Sequence, residues 1–158
     1  DQSLPKLLGW WGTAKATRFQ MDTTFEAIPT VESWQLSNAP VLSMAALRAS
    51  LALFDAAGGM SALRRKSLLQ MEFFDRRLAE TLGDRVENLT PTNPEGRGCQ
   101  SALRIVAGGG RDIYERLMER RVLCDWREPD VIRVAPVPLY NSFDDIERFV
   151  GILDEVTR

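Results

Sequence analysis

From Pro40 to Ala57 the chain is apolar almost all round, with Arg48 and Asp55 the only charged interruptions. A helix over this stretch has no polar face, so it is either enclosed on every side or set at a subunit interface. Pro40 suits the first turn, where a missing N–H costs nothing, and Gly58-Gly59 supply a stop. A second helix is predicted from about Met60 to Leu82. Met60, Leu63, Met71, Phe74, Leu78 and Leu82 recur at helical spacing, and Arg64, Arg65, Lys66, Arg76, Arg77 and Glu80 take the other faces. After Gly83 the pattern shortens to strand-like runs at Val86–Leu89, Ser101–Ala107, Val122–Trp126 and Val131–Ala135, with a helix between at about Arg111–Arg120. A last helix starts at Ser142, whose hydroxyl caps it while Asp145 complements the free N–H groups. Its buried stripe is Ile146, Phe149, Val150, Leu153 and Val156.

Residues 1–36 show no sustained period and read as an ordered loop with short extended pieces, including one strand at Ser33–Leu36. Two helices against three or four short strands make a small α+β lobe over residues 81–158. The long second helix reads as a strut, which puts the boundary with residues 1–80 near residue 80. No internal repeat or low-complexity tract changes this picture.

Composition narrows the function classes. The 158 residues are 44% apolar, enough for one core or two small lobes. Twenty basic and 22 acidic residues are mixed along the chain, so no basic stripe is present for nucleic acid. No apolar run reaches the roughly 18–20 residues of a membrane span, and the chain is expected to be cytosolic. With no histidine and only Cys99 and Cys124, neither a Cys/His zinc site nor an imidazole-based triad can be assembled; no metal is expected.

Three segments could carry chemistry. Trp10 and Trp11 stand in a Gly-bounded loop; an indole N–H is a donor on a rigid apolar plate, suited either to a phosphate oxygen or to packing beneath a loop. Asn38, after Ser37, either caps the Pro40 helix or places an amide at an anion and ligand site. Arg133 interrupts the apolar run Val131–Ala135, so its guanidinium faces either solvent, as on an edge strand, or a cleft. Gly108-Gly109-Gly110 reads as a turn, and Arg64-Arg65-Lys66 and Arg120-Arg121 as solvated helix faces.

Four motifs occur in order: Gly9-Trp10-Trp11-Gly12 with Thr17-Arg18-Phe19; Leu36-Ser37-Asn38-Ala39-Pro40; Arg97-Gly98-Cys99-Gln100; and Cys124-Asp125 followed by Ile132-Arg133-Val134-Ala135-Pro136-Val137-Pro138-Leu139-Tyr140-Asn141-Ser142-Phe143. Together, from about Leu8 to Phe149, they resemble kynureninase. Departures are Thr13 after the first motif and the glycine-rich loop at residues 108–111.

The resemblance implies an α/β protein of the pyridoxal-phosphate (PLP)-dependent fold type I, this chain being the end of the large cofactor domain plus an α+β C-terminal small domain. It implies hydrolysis of L-kynurenine or 3-hydroxy-L-kynurenine to anthranilate or 3-hydroxyanthranilate and L-alanine by a cytoplasmic homodimer using pyridoxal 5'-phosphate. Trp10 would contact the cofactor phosphate, with Trp11 structural. Asn38 would line the cofactor and substrate pocket from the neighbouring subunit, and Ser37 would touch the aromatic end of the substrate. Arg133 would grip the α-carboxylate with its planar fork. The family's cofactor lysine lies N-terminal to the first motif, so this chain is expected to contain no catalytic residue and to be inactive alone. Cys99 would be buried in the loop that starts a strand. The competing readings are a fragment of another fold-type I enzyme, such as a cysteine desulfurase, and a non-catalytic dimerisation or binding module.

Overall fold

The computed structural model describes residues 4–20 and 23–158, in two compact units that divide between Ala52 and Leu53. The first is built on close backbone approach rather than on regular elements. Trp10–Gly12 and Val31–Trp34 form single 3-10 turns, and an isolated antiparallel bridge joins Thr13 to Ala27. The strand expected at Ser33–Leu36 is therefore absent. Thr30 starts a turn instead: its hydroxyl accepts from the Glu32 N–H and its carbonyl accepts from the Ser33 N–H at 3.1 Å. Ser33 is buried within that turn.

Helix α1 spans Val41–Ala56. The Pro40 carbonyl accepts from the Met44 N–H at 2.9 Å, so Pro40 is the residue at which the helix begins. None of its 16 residues is buried, and Leu42 is 87% exposed, so the described residues do not enclose this all-apolar helix. Gly58 and Gly59 end it with φ of 90° and 75°.

Helix α2 (Gly59–Leu82) and helix α4 (Phe143–Val156) pack together across a four-stranded antiparallel sheet of order β1-β2-β4-β3, where β1 is Val86–Asn88, β2 Ser101–Ile105, β3 Asp125–Arg127 and β4 Val131–Val134. Helix α3 (Gly110–Glu119) packs against α4 and the β3-β4 end. Strand alternation sends Leu103, Ile105, Ile132 and Val134 into the core beside Phe74, Leu117, Val150 and Leu153. Full burial of such a side chain contributes about 1.5–3 kcal/mol. Met60 lies off this stripe and is 66% exposed. Because Met71, Phe74, Leu78 and Leu82 of α2 belong to the same core as the sheet, the compact unit starts at Leu53, well before the boundary expected near residue 80.

Strand β3 starts three residues later than the apolar run suggested. Arg121 takes a left-handed conformation (φ 60°), its N–H bonding the Met118 carbonyl while the Val122 N–H bonds that of Leu117. This is a Schellman closure of α3. It uses the Val122 donor that a ladder would need.

Candidate functional site

In the first unit the two glycines of the GWWG motif are sites of contact. A Cβ on Gly9 would lie 2.2 Å from the Leu36 Cα, and one on Gly12 would lie 2.5 Å from the Ser33 carbonyl oxygen. Only glycine lets these backbones meet. The aromatic residues between them are held by the TRF motif: the Phe19 ring meets Trp10 edge-on at 5.6 Å, and the Arg18 guanidinium lies 4.8 Å from the centre of the Trp11 ring. Arg18 also donates to the carbonyls of Trp11 and Thr13, both at 3.2 Å. Trp11 is thereby a structural plate. Trp10 is 48% exposed, and its indole N–H has no protein partner among the described residues.

The Gly9–Leu36 contact sets this loop beside the start of the SNAP motif. Ser37 and Asn38 are exposed, with the Gln35 side chain donating to the Ser37 carbonyl at 3.1 Å. Asn38 is not a helix cap: α1 begins at Val41, and the amide stands two residues too early to reach its N–H groups. Its side chain makes no hydrogen bond with a described residue and remains open for another partner.

In the second unit Arg133 sits on β4, an interior strand between β2 and β3 rather than an edge. Directly opposite are Ala102 on β2 and Asp125 on β3, so all three project from the sheet face away from the helices. That face also carries the exposed Arg104–Glu87 pair, 2.6 Å apart. Arg133 Nη2 bonds Asp125 Oδ2, which also accepts from Arg127 Nη2 at 2.7 Å. The Nε and Nη1 donors of Arg133 have no described partner, and the side chain is one-third exposed. The Cys124 thiol beside this group is pushed up to about 11, first by burial and then by the Asp125 charge, so it stays protonated near neutral pH.

The remaining motifs hold the scaffold. The Arg97 side chain of RGCQ is 3% exposed and bonds Asp75 at 2.6 Å and the Ser101 hydroxyl at 2.8 Å, tying the loop before β2 to α2. Lys66 Nζ donates to the Pro138 and Asn141 carbonyls at 2.7 and 2.8 Å, and Gln70 donates to Asn141 at 2.8 Å. The PVPLYN segment after Arg133 is thus strapped to α2. Lys66 is thus not a solvated face residue, whereas Arg64, whose bond to the Pro94 carbonyl is exposed, keeps to the solvated face. Gly108 and Gly109 form the expected turn, both with positive φ.

The model of the kynureninase C-terminal domain matches residues 63–153, more than half of the chain. The chain belongs to the kynureninase family. It is 50% identical over 153 residues to a kynureninase of Xanthomonas oryzae pv. oryzae (strain PXO99A), with 96% of this chain and 36% of the relative covered. It is 51% identical over 149 residues to that of Xanthomonas axonopodis pv. citri (strain 306), covering 93% and 35%, and 48% identical over 150 residues to that of Koribacter versatilis (strain Ellin345), covering 95% and 35%. The chain thus spans about 36% of the length of such kynureninases. In fold it is similar to the cystine C–S lyase C-DES, solved in complex with its reaction product cysteine persulfide, with a TM-score of 0.74, 19% identity, and 96% of this chain and 38% of that one covered. The fold is like that of the C-terminal part of this fold-type I PLP enzyme, ending in an α+β small domain with an antiparallel sheet.

Sequence reasoning singled out Trp10, Ser37, Asn38 and Arg133, and the structure gathers the first three into one unit and sets Arg133 in the other. It missed Asp125. The signal was the Cys124-Asp125 pair eight residues before Arg133, but only strand pairing shows that the two charges oppose each other.

Proposed function

We propose that this chain forms part of a kynureninase that adds water across the Cβ–Cγ bond of L-kynurenine, or of its 3-hydroxy derivative, giving anthranilate or 3-hydroxyanthranilate and L-alanine. The observation that carries this is Arg133: an arginine on an interior strand, held by one carboxylate, with its Nε and Nη1 donors unpartnered on the open sheet face. Nη2 carries two N–H groups and Asp125 takes one, so the other, with the Nε or Nη1 donor beside it, forms a free edge that donates to two carboxylate oxygens at once and so orients the substrate Cα. Lysine, a point charge, sets no such orientation.

The residues also fit pyridoxal 5'-phosphate. Trp10 offers a free, half-exposed indole N–H to a phosphate oxygen, on a loop whose glycines leave it little freedom. Asn38 and Ser37 offer unpaired polar groups as pocket wall beside that loop. When bound, the cofactor supplies an electron sink for cleavage of the carbon–carbon bond. Everything this chain contributes is binding and orientation; the lysine that moves protons is expected from the remainder of the enzyme. The all-apolar, exposed α1 supports placing it at a homodimer interface, from which Asn38 reaches the pocket of the neighbouring subunit.

The test is anthranilate fluorescence after adding L-kynurenine and pyridoxal phosphate to this chain, alone and mixed with the upstream segment of a relative. Activity confined to the mixture is expected. Absence of activity from a folded, associated mixture would overturn the reading.

A further inference from the structure

We propose that Asp125 is the positioning residue for Arg133: it aims the guanidinium at the substrate carboxylate without touching substrate itself. The inference rests on the carboxylate-anchor reading of Arg133. Asp125 and Arg133 are Cα partners in the β3–β4 ladder, so strand register, not chance side-chain reach, sets their separation. The aspartate side chain is short and carries its carboxylate close to the β3 backbone. Arg133 is long and one-third exposed, and without a fixed contact it would sample several rotamers over an open face.

The contact engages one N–H of Arg133 Nη2, which leaves the second Nη2 N–H and the donor beside it as a free two-point edge. Charge points the same way. Asp125 Oδ2 is shared by Arg133 and Arg127, so one negative charge stands between two positive ones. The neighbouring Arg104–Glu87 pair is neutral. The Arg133–Asp125–Arg127 cluster therefore carries one unit of positive charge for an incoming carboxylate to neutralise, with Asp130 acting on Arg104 beyond it. An isolated Arg133–Asp125 pair would have none. Exposed pairs of this kind add little to stability, so the contact matters for geometry rather than for folding.

The experiment uses a chimaera in which this chain replaces the matching stretch of the Xanthomonas oryzae kynureninase. Asp125→Asn keeps the shape and removes the charge. It should raise KM for L-kynurenine about tenfold while kcat stays within about twofold, the signature of lost substrate binding. The inhibition constant of the amine analogue that lacks the α-carboxylate should not change. In an Arg133→Ala background the same substitution should alter KM by less than about twofold, because the two residues act as one unit. If Arg133→Ala raises KM but Asp125→Asn leaves it unchanged or lowers it, the positioning role falls and the anchor reading stands. If Asp125→Asn weakens the carboxylate-free analogue as much as the substrate, its role is structural and the proposal is overturned. If Arg133→Ala itself leaves KM unchanged, the anchor reading falls and takes this one with it.

Discussion

Gly9 and Leu36 meet backbone to backbone, so close that a Cβ on Gly9 would stand 2.2 Å from the Leu36 Cα. This contact sets the loop carrying Trp10 beside the segment carrying Ser37 and Asn38. Gly9→Ala is expected to force the two segments apart and to cost about 2–4 kcal/mol of local stability, in the range of severe overpacking. Hydrogen exchange should show lost protection at Gly12, Thr13 and Ile28, while the sheet from Val86 to Val134 stays protected. Unaltered protection in the first unit would show that the approach is not required.

Arg97 and Asp75 are an unequal pair: the Arg97 side chain is 3% exposed and that of Asp75 is 32% exposed. Removing the carboxylate strands a buried guanidinium whose Nε already lacks a partner, whereas removing the guanidinium leaves a carboxylate that water can reach. Urea denaturation should therefore show Asp75→Ala costing about 3–5 kcal/mol and Arg97→Met about 1–2 kcal/mol. The reverse order would contradict this account of the RGCQ motif.

Much of the fold was legible because its signals are local. The α2 stripe Leu63, Met71, Phe74, Leu78 and Leu82 is visible from spacing, and Ser142 with Asp145 forms the expected reciprocal cap, the two N–H···O bonds measuring 3.1 and 2.8 Å. What stayed hidden depends on residues distant in sequence or on competing local bonds. The apolar run at Val122 reads as a strand, but its N–H closes α3. Lys66 reads as a solvated charge because helical periodicity says nothing of a loop 72–75 residues later lying over that face. Arg133 was legible as an anomaly in an apolar strand; its interior position and its partner Asp125 required the strand order.

Arg121 holds a left-handed conformation that costs a side chain roughly 1–2 kcal/mol. Arg121→Gly removes that cost but loosens the unfolded chain, so a net gain of about 0.5–1 kcal/mol is expected. A β-branched replacement such as Arg121→Val should lose stability instead. Thermal unfolding of the three proteins checks the order.

Among the described residues, three carboxylates are held below their usual range: Asp145 by the Ser142 backbone N–H, Glu147 by Arg77, and Asp154 by Arg85 and then Arg158. Depressed values mean that the unfolded chain binds protons first on acidification. The stability they contribute is complete above the ordinary carboxylate range, about pH 4, and is lost as pH falls through the folded values. The urea midpoint should hold steady from about pH 7 to 5 and drop below about pH 4. Asp154→Asn should make that drop shallower; an equal drop in the variant would argue against the Asp154 assignment.

The role of Arg133 is tested by kcat/KM for L-kynurenine, measured with Arg133→Ala and Arg133→Lys in the reconstituted enzyme. The two-point grip predicts a loss of at least about 100-fold for alanine and a loss nearly as large for lysine, which keeps the charge but not the fork. A kcat/KM unchanged in Arg133→Ala would contradict the assignment of this arginine as the carboxylate anchor.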